Sequence, residues 1–167
     1  PNGLIHSVQV LPNGKILVAG QFTQFSGLNC GRVVRLKSNG TIDSSFVSGV
    51  GANGDLYCVR ADSAGNVFIG GDFSQYKGAS AFNIAKLDSL GNLASGSSAS
   101  FGTSARVFKI FHQNNGSMLL SGSFTSFMGV PSNYIVRVST SGVVDASFSS
   151  ELAFFASGEV LSVDVHQ

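Results

Sequence analysis

The feature that most constrains this chain is an internal repeat with a spacing of 51 residues. Residues 18–22, 69–73 and 120–124 are three copies of one short segment, each with a central glycine and a final phenylalanine. The same interval relates three further sets of glycines, which are Gly14, Gly65 and Gly116, Gly27, Gly78 and Gly129, and Gly40, Gly91 and Gly142. A period of about 50 residues with short apolar runs and glycine turns is typical of a repeated antiparallel sheet, such as a propeller blade.

The charge of the chain excludes some classes of partner. Its 167 residues contain 10 Lys plus Arg and 9 Asp plus Glu, which gives a net charge of +1. A chain without a strong positive field is not expected to bind nucleic acid or an anionic membrane. Charged residues make up 11% of the chain, against roughly 25% in ordinary soluble domains. Such a surface indicates an extracellular or particle-bound protein.

The apolar runs are short, so the sequence predicts no membrane insertion through a helix. The first residue is Pro1 rather than methionine, and we expect the chain to be an excerpt or a processed product. Cys30 and Cys58 lie at different positions of the repeat, which predicts two free thiols rather than a disulfide framework.

Each repeat is expected to form four strands. Apolar residues at short spacing predict first strands at 5–10, 56–61 and 107–112. A turn at Asn13 and Gly14 then leads to a second strand at 15–22, whose nearly continuous apolar character is typical of a strand buried on both faces. The later copies are 67–69 and 118–120.

A loop of about eight residues leads to the predicted third strands at 32–36, 83–87 and 134–138. The segments 41–46 and 143–148 are expected to form the outer edge strand. The predicted fold is therefore an all-β propeller of four-stranded antiparallel blades, with blade 1 at 3–53, blade 2 at 54–104 and blade 3 at 105–157. The first strand of a fourth blade is predicted at 158–167. Because three blades cannot close a ring, we expect a longer polypeptide that forms a larger closed ring; a homodimer that pools six blades is the alternative.

A family resemblance follows from these residues. Pro12 to Phe22, Gly27, Arg35-Leu36, Asn39-Gly40 and the Asp43-Ser44-Ser45-Phe46 segment together resemble the delta-60 repeat, a β-propeller repeat of unknown function. Repeat 2 departs at its end, where Ala94 and Ser97 replace the aspartate and phenylalanine. The resemblance implies a scaffold or recognition role in bacterial surface proteins or phage structural proteins, without catalytic residues.

No residues are nominated as catalytic, cofactor-binding or metal-binding. The 49–54 segment has the glycine spacing of a dinucleotide loop but leads into a strand rather than a helix. His6, His112 and His166 fall at unrelated positions of the repeat, which predicts no shared metal site. We expect a structural role for the recurring residues, which are Gly20, Phe22, Asp43, Gly71, Phe73, Gly122, Phe124 and Asp145. The aspartates are expected to cap a turn, with help from a nearby cation.

Positions that break the period are candidates for partner binding. Lys77 and Met128 replace Ser26 at one loop position, and Phe154 and Phe155 add adjacent aromatics to the last connection. We expect a non-catalytic structural or recognition module of a surface-exposed assembly, such as a phage tail appendage, a fibre or a bacterial adhesin. Its partners would be other protein subunits. A carbohydrate-binding propeller that contacts cell-surface glycan, or a propeller accessory to an enzyme elsewhere in the polypeptide, are the alternatives.

Overall fold

The computed structural model describes residues 1–46, 49–96, 101–148 and 158–164. Within these ranges the regular structure is β-strand, apart from a three-residue helical turn at 146–148. None of the described residues forms a helix with the length and apolar character needed to cross a bilayer.

The same five strands occur in each of the three described repeats. Repeat 1 contains β1 (Ile5–Val10), β2 (Ile16–Gly20), β3 (Gln24–Phe25), β4 (Leu28–Asn29) and β5 (Val33–Leu36). Repeat 2 contains β6 (Leu56–Ala61), β7 (Val67–Gly71), β8 (Gln75–Tyr76), β9 (Ala79–Ser80) and β10 (Ile84–Leu87). Repeat 3 contains β11 (Val107–His112), β12 (Ser117–Gly122), β13 (Ser126–Phe127), β14 (Val130–Pro131) and β15 (Ile135–Ser139).

The three long strands of each repeat form one antiparallel sheet with the second strand in the centre. The orders are β1-β2-β5, β6-β7-β10 and β11-β12-β15. The register is the same in all three, since Val8 pairs with Val18, Val59 with Ile69 and Ile110 with Leu120. The predicted first strands are confirmed at both ends, and the all-β fold of antiparallel units is confirmed with them.

The expected fourth strand is reduced to a single bridge in each described repeat. Ile42 pairs with Leu36, Leu93 with Leu87 and Val144 with Val138, each as an isolated antiparallel bridge. The chain turns away directly afterwards in repeats 1 and 3, where Asp43 and Asp145 accept hydrogen bonds from the backbone two residues later. A local side-chain bond of this kind competes with the sheet ladder, and the edge at 41–46 and 143–148 does not extend as a strand. Repeat 2 also stops after one bridge although Ala94 stands at the aspartate position, so the acid is not required to end the strand.

The eight-residue loop is a second hairpin rather than an irregular connection. The strand pairs β3-β4, β8-β9 and β13-β14 are each joined by two residues with positive φ, for example Ser26 at 48° and Gly27 at 79°. Two central residues in this region define a type I′ turn, which matches the twist of paired strands. In repeat 1 the second strand also ends at Gly20, before the predicted residue 22, because the chain leaves the sheet to form this hairpin.

The sheets pack face against face in the order of the chain. β6 contacts β1 and β2 on one side and β11 on the other. Side chains alternate between these two junctions: Val67 and Ile69 belong to the core shared with Leu17 and Ala19 of repeat 1, whereas Phe68 belongs to the core shared with repeat 3. The central strand is therefore buried on both faces, as its continuous apolar pattern predicted.

The outer face of β1 differs from the equivalent faces of β6 and β11. Val8 is 52% exposed, whereas Val59 and Ile110 at the same repeat position are fully buried. The two buried residues lie against the preceding sheet, and Val8 has no such neighbour in the described chain. Residues 158–164 have no regular strand conformation, and the Val160 N–H donates to the carbonyl of Gly122. Residues 165–167, the rest of the predicted fourth first strand, lie outside the described residues.

Candidate functional site

The recurring glycine at the end of the central strand is required by the close approach of main chain. A Cβ atom at Gly20, Gly71 or Gly122 would lie 2.0 Å from the carbonyl oxygen of the residue that precedes the first strand. That distance is far inside van der Waals contact. These three glycines therefore allow the main chain of the first and second strands to approach closely.

The recurring phenylalanines are core residues. Phe22 and Phe124 are fully buried and Phe73 is 4% exposed. Phe73 belongs to the apolar core between repeats 1 and 2, and Phe124 belongs to the core between repeats 2 and 3. Phe22 packs in a smaller cluster in repeat 1, where its ring lies edge-on to Phe25.

Asp43 is the centre of a buried ionic cluster in repeat 1. Its carboxylate accepts hydrogen bonds from Arg35 Nε and Lys15 Nζ, both at 2.8 Å, and from the backbone and hydroxyl of Ser45. Burial would raise the pKa of Asp43, but the hydrogen bonds from Lys15, Ser45 and Arg35 outweigh it and hold the pKa below its ordinary value. The ionised carboxylate closes the turn that ends the sheet.

Repeat 3 contains the same pair in a more exposed setting, and repeat 2 lacks the acid. Asp145 accepts from Arg137 at 2.8 Å, and hydrogen bonds from Ser147 and Arg137 lower the pKa of Asp145 to about 2. In repeat 2 Ala94 stands at the aspartate position, and the Lys86 ammonium lies 5.5 Å from the ring centroid of Phe68. The cation is thus kept in all three repeats while its acidic partner is not.

These cations also join consecutive repeats. Arg35 Nη1 donates to the carbonyl of Ser89 at 2.7 Å, and Lys86 Nζ donates to the carbonyl of Thr140 at 3.1 Å. Ser89 and Thr140 occupy the same position in repeats 2 and 3. Each bond therefore runs from the third strand of one repeat to the second glycine turn of the next.

A second hydrogen bond recurs at both junctions and joins the repeat positions of Gln21 and Asp55 to each other. Gln21 donates to Asp55 at 2.9 Å in the first junction, and Arg106 donates to Asp72 at 2.8 Å in the second. The equivalent side chains are Gln21 with Asp72 and Asp55 with Arg106, so the donor and acceptor sides exchange between junctions.

The third recurring bond starts from a residue in the left-handed region. Arg32 (φ 66°) donates to the carbonyl of Ala52 at 2.6 Å, and Asn83 (φ 63°) donates to that of Thr103 at 3.0 Å. Left-handed backbone is unfavourable for residues other than glycine, and Asn tolerates it best. The bond to the next repeat accompanies this conformation at both junctions.

Between the first glycine turns of repeats 2 and 3 lies a groove of about 430 Å³, named here the polar groove. Its lining residues are Ala61, Asp62, Ser63 and Ala64 from repeat 2, and His112, Gln113, Asn114, Gly116 and Thr140 from repeat 3. Both walls carry side chains that can form hydrogen bonds.

The equivalent groove between repeats 1 and 2 is named the mixed groove and has a volume of about 300 Å³. On the repeat 1 side, Leu11 and Pro12 stand where the polar groove has Asp62 and Ser63. The repeat 1 wall of the mixed groove therefore combines the apolar Leu11 and Pro12 with Asn13 and Arg35, although the fold around both grooves is the same.

His112 is the last residue of β11, the first strand of repeat 3, and it lines the polar groove. Its ring stands edge-on to Phe68, with 5.3 Å between the ring centroids, and its Nε2 atom is enclosed without a hydrogen-bond partner among the described residues. Burial lowers the pKa of His112; Asp62 opposes this shift and Arg60 adds to it. The imidazole is therefore neutral at physiological pH.

Two of the predicted partner residues lie on a different rim. Lys77 and Met128 are at the tips of the β8-β9 and β13-β14 hairpins, and Met128 is 46% exposed. The Lys77 ammonium donates to the side chain of Asn92 at 2.9 Å. These residues do not approach the polar groove, whereas Phe154 and Phe155 lie outside the described residues.

Cys30 and Cys58 are free thiols, as the sequence predicted, and both are buried. Burial raises the pKa of Cys58 to about 12, so this thiol stays protonated. Among the described residues, no three histidine, cysteine or acidic side chains come together in a group that could hold a metal ion. His166 is outside the described ranges.

Comparison with known proteins identifies the family to which the chain belongs. A model of a β-propeller domain of unknown function, DUF5122, matches residues 11–46, 65–93 and 113–148, one segment in each repeat. The chain belongs to this β-propeller family. No curated protein matches it. The three matched segments cover the strands and turns that recur, so each three-stranded sheet of the chain is a propeller blade.

Sequence reasoning did not find the polar groove or the bonds between blades. The acceptors of these bonds are the backbone carbonyls of Ser89, Thr140, Ala52 and Thr103. A backbone carbonyl is present in every residue, so the sequence does not show which one accepts the bond. The available signal was the recurrence of Arg35, Lys86 and Arg137, which indicated a structural role but not the neighbouring blade as its target.

Proposed function

We propose that this β-propeller is a non-catalytic structural and recognition module that presents rigid rims to partners in a surface-exposed assembly. The observation that carries the proposal is the use of charged side chains at the blade junctions. Arg35 and Lys15 both bond to Asp43, Arg35 also donates to the carbonyl of Ser89 across the first junction, and Arg106 bonds to Asp72 across the second junction. Groups that serve to align blades support a rigid scaffold.

The location is part of the same proposal. The likeness of repeat 1 to delta-60 repeats, together with 11% charged residues, supports a place in a phage tail appendage, a tail fibre or a bacterial adhesin. We take the partners to be other protein subunits that meet the loops on the rims, and neither cofactor nor nucleic acid enters this proposal.

The location is tested by antibody labelling of intact cells or particles from the source. An antibody against residues 1–167 is expected to label them without permeabilisation, and the native mass of the extracted complex is expected to exceed that of the polypeptide alone. Labelling only after lysis, together with a free single polypeptide in native mass measurement, would contradict the proposal.

The rim contact is tested by substitution at the hairpin tips. Lys77→Ala and Met128→Ala are expected to reduce chemical cross-linking to neighbouring subunits without lowering the melting temperature, because both side chains lie at hairpin tips. Val143→Ala is a matched control, since Val143 is 67% exposed and lies after the second glycine turn. Unchanged cross-linking in both rim variants would remove these residues from the contact surface.

A further inference from the structure

The polar groove offers hydrogen-bonding groups that the described protein does not use. Ser63 and Asn114 are exposed and have no side-chain hydrogen bond to any described residue. Gln113 accepts a bond from the Ser117 hydroxyl through Oε1, which leaves its amide N–H groups available. The groove thus combines hydroxyl and amide groups from two blades within about 430 Å³, and small-molecule sites commonly have volumes from about 300 Å³ upwards.

The charge of the lining restricts what the groove can hold. Asp62 is the one carboxylate among the lining residues, and its two oxygens already accept bonds from the backbone and side chain of Asn66. A single engaged carboxylate is a poor site for a divalent cation, which prefers several oxygen ligands. The same negative charge disfavours an anion, and the neutral His112 adds no compensating positive charge.

The uncharged amides and hydroxyls instead fit a ligand with many neutral hydroxyl groups. A hydroxyl both donates and accepts, as do the side chains of Asn114 and Ser63. We propose that the polar groove between blades 2 and 3 binds a neutral sugar residue, with Asn114, Gln113 and Ser63 as hydrogen-bonding partners. This inference rests on the recognition role proposed above and names its ligand class.

The mixed groove provides a comparison within the same molecule. It shares Ala61, Asp62 and Ser63, which form its repeat 2 wall. Its other wall has Leu11, Pro12, Asn13 and Arg35, and its volume is about 300 Å³. In the mixed groove, Asp62 and Ser63 take the positions of Gln113 and Asn114. Because the mixed groove lacks this amide pair, the sugar should select the polar groove.

The test is an NMR titration of the ¹⁵N-labelled chain with neutral mono- and disaccharides chosen by a glycan array. Saturable shifts are expected at the amides of His112, Gln113 and Asn114. Asn114→Ala should weaken binding about tenfold, since it removes side-chain hydrogen bonds, and should leave the melting temperature unchanged because Asn114 is exposed. Asn13→Ala, an asparagine of the mixed groove, is the matched control and should retain full affinity.

Three results would overturn the inference: no saturable shift with any neutral sugar at millimolar concentration, shifts confined to other residues, or equal weakening by Asn114→Ala and Asn13→Ala. The outcome is separate from that of the antibody labelling. Labelling only after lysis would remove the proposed surface location and leave sugar binding in place, whereas a surface-located protein that binds no sugar would lose only this inference.

Discussion

The junction between blades 1 and 2 and the junction between blades 2 and 3 share two main-chain acceptor positions and differ in the side chains that donate to them. In both, a cation of the third strand reaches a turn carbonyl of the next blade, but the donor is Arg35 in one and Lys86 in the other. Arg35 is also fixed by Asp43, whereas Lys86 faces Ala94 at that position. Main-chain acceptors therefore define the spacing of the blades, and different side chains can satisfy them.

The two grooves beside these junctions differ in their lining residues. The residues that differ between the two grooves at the first turn, Leu11 and Pro12 against Asp62 and Ser63, lie outside the strands, and the strand register beside both grooves is the same. Leu11 and Pro12 of the mixed groove are equivalent to Asp62 and Ser63 of the polar groove. The polar groove therefore has hydrogen-bonding side chains at two positions where the mixed groove has apolar ones. A repeated scaffold can thus carry two neighbouring grooves of the same position whose lining residues differ in polarity.

The largest expected effect is the loss of a core phenylalanine at either junction. Phe73→Ala and Phe124→Ala should each lower the free energy of unfolding by about 3 to 5 kcal/mol, because each leaves a cavity in a close-packed core. Phe82→Ala is the control, since Phe82 is 53% exposed and should change stability by less than about 0.5 kcal/mol. Chemical denaturation measures all three, and an unchanged midpoint for one core variant would show that the two junctions are not equivalent.

A smaller effect is expected from the acid that only one of the two junctions has. Asp43→Asn should lower the free energy of unfolding by about 3 kcal/mol, which is the lower end of the range for breaking a buried ion pair. The lower end is expected because Arg35 keeps its bond to the Ser89 carbonyl. The matched variant Asp145→Asn should cost less, since the Asp145 side chain is 37% exposed. Denaturant unfolding compares the two, and an equal loss would mean that burial does not distinguish the pairs.

The glycine that all blades share should give the next largest loss. Gly71→Ala should cost about 1 to 3 kcal/mol or more, because its Cβ would lie 2.0 Å from the carbonyl oxygen of Asp55 and the backbone must move. Gly78→Ala has no atom within 4 Å of the added Cβ but has φ +81°, so only about 1 kcal/mol is expected. If thermal melts rank Gly78→Ala as the more damaging change, close approach is not the reason for Gly71.

The sequence predicted the blades well because their signals are local. Apolar runs and glycine turns recur at a constant spacing, and the burial of Val67, Phe68 and Ile69 follows from that pattern. The fourth strand was mispredicted because residues 41–46 have strand-like spacing, whereas the chain leaves the sheet after one bridge in each described repeat. Asp43 and Asp145 close the turn in two of these repeats.

The candidate site was less predictable for a different reason. The polar groove brings Asp62 and Ser63 beside Gln113 and Asn114 only when two blades are stacked. In the sequence these are ordinary turn residues about one repeat apart, and their chemistry differs from copy to copy. Recurrence is therefore a good guide to the scaffold, whereas a ligand site formed by non-recurring residues needs the geometry of the junction.

Acid sensitivity should sharpen the comparison between the buried and exposed aspartates. The folded-state pKa of Asp43 is lowered, so its stabilising contribution is complete above the unfolded value of about 3.9 and is lost as the pH falls towards the folded value. Urea unfolding at several pH values should thus show stability falling below about pH 4. Asp43→Asn should remove most of this dependence of stability on pH. Asp145→Asn should remove less of it, because water screens the exposed ion pair of Asp145. Since the pKa of Asp88 is lowered as well, some slope should remain in both variants, and a slope unchanged by Asp43→Asn would show that the buried cluster does not govern the acid response.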